Sequence, residues 1–562
     1  MNMQVEMGKA KYLSIGLCSI TMLVYTKQVS DPVNAPKFLL LGIVSLASVA
    51  TLLVPEIKHI WFNFKWVFVA SLAMIFFMII SSVLSPSPLS QNIYGVYGRN
   101  TGLLTHVALL GILLSILTFK SSRSILIVFK GMLAAGLFNV GYCAWVLVFG
   151  DFISWTNPYK SLLGTLGNPN FVSSYLALFG VGVVALYLSE SVSLRKILAV
   201  TMIVIILIFQ IIKTNSTQGL IVLLMGIYMV VFFILAIKIR KLWLTFSYAA
   251  IGLLTFIFGV LGLVNSGPLA SLLFQNTLAY RREYWVAGIR MGMDFPITGV
   301  GLDSYGDWYR QLRTVKSTIE PGIQVVTNVA HNVYIDAFAN GGFPLLLAYL
   351  TLSFITLGAI IKVTRQLDRI DPLFVAISST WIAYQLQSLI SINQIGLSIW
   401  GWALAGMILA FSAQQIDASD EKPFSNRNQR ISNSRNLLNP VAMTIGALAG
   451  FILFSPPVLA DHKWTSAYSH KNADELFASL QESYFNPSTS FQLAQAIQIF
   501  ESNGFTVKAH KLAIDATKFN RRSFDAWQQL YSLQAATTEE KKIAKGEMMK
   551  LDPLNHSIKE YD

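Results

Sequence analysis

The chain has 562 residues, 54% of them hydrophobic and only 13% charged, with a mean hydropathy of +0.54. A soluble globular protein carries nearer ~25% charged residues, so lipid must cover most of this surface and a water-soluble class is excluded. The formal net charge of +13 does not point to nucleic acid, because the basic residues fall in short clusters between apolar runs. Cys18 and Cys143 both lie inside such runs, which leaves neither a disulfide framework nor a cysteine metal cluster.

A membrane span needs ~20 apolar residues. Segments 12–29, 37–54, 66–84, 103–119, 124–149, 171–189, 197–212, 219–237, 243–264, 343–361, 372–390, 395–414 and 439–459 qualify, about thirteen by that measure. Lipid offers the backbone no hydrogen-bond partner, so each must be helical. The fold class is therefore all-α, a polytopic integral membrane bundle of about 12–13 spans. The first segment follows Lys9 and Lys11 and reads as a retained anchor rather than a cleaved signal.

Lys and Arg set the orientation. Alternate loops hold Lys9 and Lys11, Lys58 and Lys65, Lys120 and Arg123, Arg195 and Lys196, Lys238 to Lys241, Lys362 to Arg369, and Lys422 to Arg435. That set is assigned to the cytoplasm. The N-terminus is then inside, and 30–36, 85–102, 150–170, 213–218, 265–342, 391–394 and 460–562 are outside, a multi-pass arrangement in the plasma (inner) membrane. The outer loop 265–342 keeps Arg281, Arg282, Arg290, Arg310, Arg313 and Lys316 against the usual bias. Either an anionic ligand holds that charge there, or the loop is long enough to translocate regardless of it.

The polar motifs fall on those outer loops. Segment 85–102 carries Ser85-Pro86-Ser87-Pro88 and Tyr94 to Asn100, where Pro and Gly stop a helix. Arg99 reads either as a phosphate ligand or as a side chain reaching the interface. Gly167-Asn168-Pro169-Asn170 is turn chemistry ahead of a helix. Asn168 and Asn170 either present free N–H groups to an anion or simply make the turn. Lys213-Thr214-Asn215-Ser216-Thr217-Gln218-Gly219, with Gln385, Gln387, Ser388, Asn393 and Gln394, is polar at membrane depth. Such residues either face a cavity or join helices to one another.

Residues 415–438 read as a flexible cytoplasmic linker. Beyond the last span, 439–459, apolar residues recur at helical spacing in 473–484, 489–503, 507–518, 523–534 and 538–550. This predicts a small helical-repeat unit over 460–562, similar in style to tetratricopeptide repeats. The organisation expected is a bundle over 1–264, an extracytoplasmic catalytic loop over 265–342, spans over 343–414, the linker, a last span and the outer helical unit.

Gly167-Asn168-Pro169-Asn170, the Arg281–Trp285 stretch, Pro296-Ile297-Thr298-Gly299-Val300-Gly301, and Ala330-His331-Asn332-Val333-Tyr334 followed by Gly341-Gly342 stand in one order on one side of the membrane. In this the chain resembles the O-antigen ligase family of lipid-linked glycan ligases, O-antigen polymerases and protein O-oligosaccharyltransferases. The resemblance covers roughly 30–414 in layout. It implies transfer of a glycan from a polyprenyl-pyrophosphate lipid to a lipid, glycan or protein acceptor, without metal or other cofactor. Many members carry Ser-Arg-Gly where this chain has Thr217-Gln218-Gly219, so an anion-holding role falls to Lys213 or Arg99. The unit at 460–562 is absent from simple ligases, which implies a bulky acceptor or a docked protein partner.

The chemistry can be argued beside the resemblance. A departing pyrophosphate needs fixed cations, and the planar fork of Arg281 or Arg282 binds phosphate bidentately. An acceptor hydroxyl needs a base. Of the 7 histidines only His331 lies in the loop, and an unperturbed imidazole is neutral at working pH. Asn332 and Tyr334 are placed to orient a ring or a sugar, and Asp303, Asp307 and Asp336 are alternative bases. The rivals are a glycan polymerase and, in a different class, a polysaccharide transporter or envelope scaffold. A transporter should show mid-span charges and paired broken helices, and a scaffold leaves the arginine loop unexplained.

Overall fold

The computed structural model describes residues 3–52, 54–188, 193–263, 265–273, 276–419 and 435–560. Each apolar segment contains a helix, in the order Met3–Met22, Asn34–Val49, Lys65–Leu84, Leu103–Ile116, Ser122–Phe149, Pro169–Leu188, Leu194–Lys213, Gln218–Ile234, Leu242–Leu263, Val333–Gln366, Pro372–Ser388, Ile395–Ser419 and Arg435–Phe454. No β-strand forms among the described residues. The chain is thus an all-helical membrane bundle. Among the described residues eight helices are individually long and apolar enough to cross a membrane, or ten if two bent pairs each count as one span. Leu103–Ile116 and Pro372–Ser388, of 14 and 17 residues, are about 21 and 26 Å long, short of a ~30 Å hydrocarbon core. Met3–Met22 carries Glu6, Lys9 and Lys11.

The helices sort by what surrounds them. Residues 395–412 are all buried, whereas none of 242–261 is, and that helix turns its apolar side chains to lipid. Pro169–Leu188 packs on Gln218–Ile234 and Pro372–Ser388, and Val333–Gln366 packs on Lys65–Leu84.

Two boundaries differ from the sequence reading. The first helix ends at Met22 rather than near residue 29. Asp31 explains the break: its carboxylate accepts the N–H groups of Val33, Asn34 and Ala35 and starts the next helix there. The expected span at 343–361 lies within a longer helix that begins at Val333. Of the expected linker 415–438, the first residues continue the Ile395–Ser419 helix, and 420–434, with Lys422, Arg427 and Arg430, lie outside the described residues.

The loop between the spans folds on one end of the bundle through the helices Asn276–Asp294 and Tyr305–Leu312. It has a small core of its own, including Tyr284, Met291, Tyr305 and Trp308. The C-terminal helices Pro456–Ser469, Ala473–Ser479, Ser490–Ser502, Thr506–Phe519, Phe524–Ser532 and Thr538–Leu551 enclose another, built on Trp464, Leu493, Phe500, Leu512 and Leu530. Side-chain caps at Asn472, Thr489, Ser523 and Thr537 start four of them.

These two units meet. Arg313 pairs with Asp552 at 2.7 Å with neither side chain accessible, and Arg310 reaches Asp552 at 3.3 Å. Arg522 lies 3.3 Å over the Trp308 ring, and Asn520 donates to Asp307 at 3.1 Å. Nearer the bundle, Asp461 accepts from the N–H groups of Ser30 and Asp31 and from the Tyr97 hydroxyl. The helical unit therefore sits on the same face as the loop.

Candidate active site

Two glycine motifs, far apart in sequence, build one support. The Val333–Gln366 helix breaks at Gly342, with φ 64° and ψ −164°. The Pro296–Gly301 segment fills the break: Val300 N–H donates to Ala339 O at 2.9 Å, and Phe343 N–H to Pro296 O at 2.8 Å. A Cβ on Gly299 would stand 2.3 Å from the Asn340 carbonyl carbon, and one on Gly342 would stand 2.4 Å from Pro296 O. Only glycine permits that approach, and both also hold positive φ. The lock fixes the first two turns of the helix and, with them, the His331–Tyr334 motif.

Asn332 caps that helix, its Oδ1 accepting from Tyr334 and Ile335 N–H at 3.0 and 3.1 Å. His331, just before the cap, is held at φ +55°. Non-glycine residues in this region carry a conformational cost of order ~1–3 kcal/mol and cluster at functional sites. The imidazole lies 5.8 Å from the Tyr284 ring. Burial, together with the nearby Arg281 and Arg99 cations, pushes its pKa down to about 4, because each disfavours the charged ring. The ring is therefore neutral at physiological pH.

Arg99 reaches the same place from the 85–102 segment. Its Nη2 donates to Asp303 Oδ1 and to Asn328 O. Asp303, itself at φ +52°, also accepts from Val96 N–H at 2.7 Å and Thr101 Oγ1 at 3.0 Å. With those bonds made, Asp303 is a clamp for Arg99 rather than a free base. Nε and Nη1 of Arg99 are buried without a partner. Such donors are costly unless something accepts from them. Arg99, Thr101, Asp303, Asp336 and Asn393 line a cavity enclosing about 600 Å³, open solvent included. Asp336 accepts Ala330 N–H at 2.7 Å and so ties the cavity wall to the histidine turn.

The other expected residues divide. Arg281 is half-buried and donates to Ile390 O at 2.7 Å, and burial moves its pKa down. Tyr334 donates to Gln385 Oε1 at 2.8 Å, joining the loop to the Pro372–Ser388 helix. Arg282 is exposed. Asn168, Asn170 and Gln218 form a separate cluster. Asn168 holds Tyr159 and Asn170 N–H, Ser216 donates to Asn170 Oδ1 at 2.7 Å, and Gln218 donates to Ser174 at 2.9 Å. A Cβ on Gly219 would meet Ser173 O at 2.5 Å. These are the contacts of helices joined to one another, and among the described residues no hydrogen bond or ion pair links them to His331. Lys213 is exposed, its ammonium 5.5 Å from the Phe209 ring.

Half of the loop's positive charge has an internal use. Arg310 and Arg313 hold the C-terminal unit, and Arg290 donates to the Leu312 and Arg313 carbonyls. Asp307, an alternative base by sequence, accepts from Ser87, Gln91 and Asn520 at that junction. Burial raises its pKa and those hydrogen bonds oppose the rise. The sequence reading missed Asp461 and Asp552 as partners of the loop. The signal for Asp461 was a lone acid in its helix, whereas Asp552 follows a helix that already carries Glu539, Glu540 and Glu547 and does not stand out. Among the described residues no group of three or more His, Cys, Asp or Glu side chains is placed to hold a metal ion.

The fold and site define a multi-pass membrane protein with a cavity at one face lined by Arg99, Asp303 and Asp336, next to the turn that carries His331. Residues 202–350, 149 of the 562, match the family model described as O-antigen ligase, and over that stretch the chain is similar to the O-antigen ligase family. The match runs from the Leu194–Lys213 helix through the loop and into the Val333–Gln366 helix. It includes Arg281 and His331, while Arg99 lies before it. No curated protein matches the sequence. The family is one of glycosyl-transferring ligases and polymerases.

Proposed function

We propose that the chain moves an oligo- or polysaccharide from a polyprenyl-pyrophosphate donor to an acceptor hydroxyl on the outer side of the plasma (inner) membrane. The supporting observation is Arg99, with two buried donors to spare in a cavity whose wall is tied through Asp336 to the turn of His331, a ring that burial and the charges of Arg281 and Arg99 keep neutral. In the reaction, the acceptor oxygen bonds to the anomeric carbon as that carbon's bond to the pyrophosphate oxygen breaks. The electron pair leaves with the pyrophosphate, where Arg99 and Arg281 meet the charge by charge-assisted hydrogen bonds. The acceptor proton passes to His331, a step typically worth ~10²–10⁴ in rate.

The depressed basicity of His331 suits this order of events. Two cations weaken the free imidazole as a base, and a bound pyrophosphate offsets them and raises its proton affinity. The base is then strongest when the donor is in place. Asn332 and Tyr334 shape the mouth of the site, and Asp336 would be the next group to test as base. In this reading 265–342 is the catalytic loop, and the tetratricopeptide-like unit at 460–562 faces a bulky or protein acceptor.

The test is single-turnover transfer by the purified chain in liposomes, with lipid-linked glycan extracted from the source cells. Glycan should leave the lipid and appear on an added acceptor. If cells lacking the chain keep every surface glycan and the liposomes transfer nothing, the proposal fails.

A further inference from the structure

A second crevice lies where the 90–100 segment meets the C-terminal helices, and neither the family match nor the site above accounts for it. It encloses about 570 Å³, open solvent included, within the ~300–1,000 Å³ range of small-ligand sites. Its walls combine Tyr94, Tyr97, Phe491 and Phe519 with the hydroxyl and amide groups of Ser90 and Asn100, and among the described residues no charged side chain lines it. Tyr97 and Phe491 stack at 4.9 Å and 6°, and Phe491 is 52% exposed, so its other face is open. Ser90 Oγ is buried without a hydrogen-bond partner.

We infer that this crevice is a saccharide subsite, holding a sugar residue of the glycan chain away from the reacting one. Ring faces suit the C–H faces of a pyranose, and hydroxyls and amides suit its oxygens. The absence of charge from the lining disfavours pyrophosphate as occupant. Position favours the same glycan for both sites. Tyr97 lines the crevice and Arg99 lines the first cavity, and two residues of backbone span at most ~7 Å, comparable to one hexose. The Val96 N–H bond to Asp303 fixes the shared wall. One end of a chain can then lie at Arg99 while the next residue rests on the Phe491 platform.

This subsite rests on the transferase reading, so the test is binding without transfer. The probe is the cell's own lipid-linked glycan, released from its lipid by mild acid, added to the full-length chain in detergent and read by saturation-transfer NMR. Phe491→Ala, which removes the platform, and Ser488→Trp, which fills the crevice, should each weaken binding about tenfold or more. Phe491→Tyr should restore it, which separates loss of the platform from misfolding. Ser502→Ala, on the exposed surface of the same helical unit, should leave it unchanged. Wild-type binding in Phe491→Ala and Ser488→Trp would overturn the subsite, and so would equal loss in Ser502→Ala. Platform-dependent binding in a chain that transfers nothing would keep the subsite and remove the transferase.

Discussion

Arg313 and Asp552 stand 239 residues apart in sequence, yet Nη2 of the arginine meets both carboxylate oxygens at 2.7 Å in the seam between the loop and the C-terminal unit. Arg313 also donates to Ile323 O at 2.7 Å, so the pair ties the end of the helical unit to the loop on both sides of its turn. Removing one partner of a buried pair leaves an uncompensated charge and costs about 3–5 kcal/mol, while an apolar pair of similar volume is often neutral. Asp552→Ala should therefore speed protease cleavage within 313–323 and lower the unfolding temperature. Arg313→Met with Asp552→Leu should recover most of the loss. A single variant as resistant and as stable as wild type would show that the pair does not hold the seam.

Arg281 and His331 should fail differently. Arg281→Ala removes a contact present before and during the reaction, so donor binding and transfer should fall together, with only partial rescue by Arg281→Lys, whose ammonium lacks the fork. His331→Ala should leave donor binding nearly intact and slow single-turnover transfer by ~10²–10⁴. Equal loss of donor binding in both would make His331 a phosphate ligand. Near-normal turnover in His331→Ala would remove it from the chemistry and bring Asp336 forward.

The pH dependence follows from the same residue. His331 titrates near 4 in the fold against an ordinary 6.5. Between those values the unfolded chain holds a proton that the folded chain does not, so stability rises with pH from about 4 to about 6.5 and is level above. The contribution is on the order of 3 kcal/mol, lost as pH falls through that window. Asp336, raised to about 7 by burial, contributes a slope of opposite sign over the same window, so the histidine's share is read as the difference between the unfolding profiles of wild type and His331→Gln from pH 4 to 7. Identical profiles would mean that His331 titrates normally.

The side of the membrane is directly measurable. Ser502 is exposed on the helical unit, Cys143 is buried and Cys18 partly so. Ser502→Cys, with Cys18 and Cys143 replaced by serine, should react with an impermeant maleimide in spheroplasts. Labelling only after lysis would place the unit, and the loop on which it sits, in the cytoplasm.

The sequence by itself determined the bundle, because ~20-residue apolar runs leave the backbone no partner but itself. It also placed the helices of the C-terminal unit, whose periodicity is local. His331, Arg281 and the glycine motifs could be picked out as a set, since each stands out against an apolar background. Their relationships could not. That Gly299 and Gly342 form one lock, that Asp303 holds Arg99 beside the histidine, and that Arg313 answers Asp552 are contacts between segments distant in the chain. Residue type says that a buried charge needs a partner, but it does not say which one. Tertiary structure alone decided that Arg310 and Arg313 serve the seam while Arg99 lines the cavity and Arg281 bonds to the Ile390 carbonyl. It also showed Asn170 bonded to Ser216, and Gln218 donating to Ser174 with its Oε1 left unpaired, because only packing shows which hydrogen-bonding groups are already paired and which remain free for a ligand.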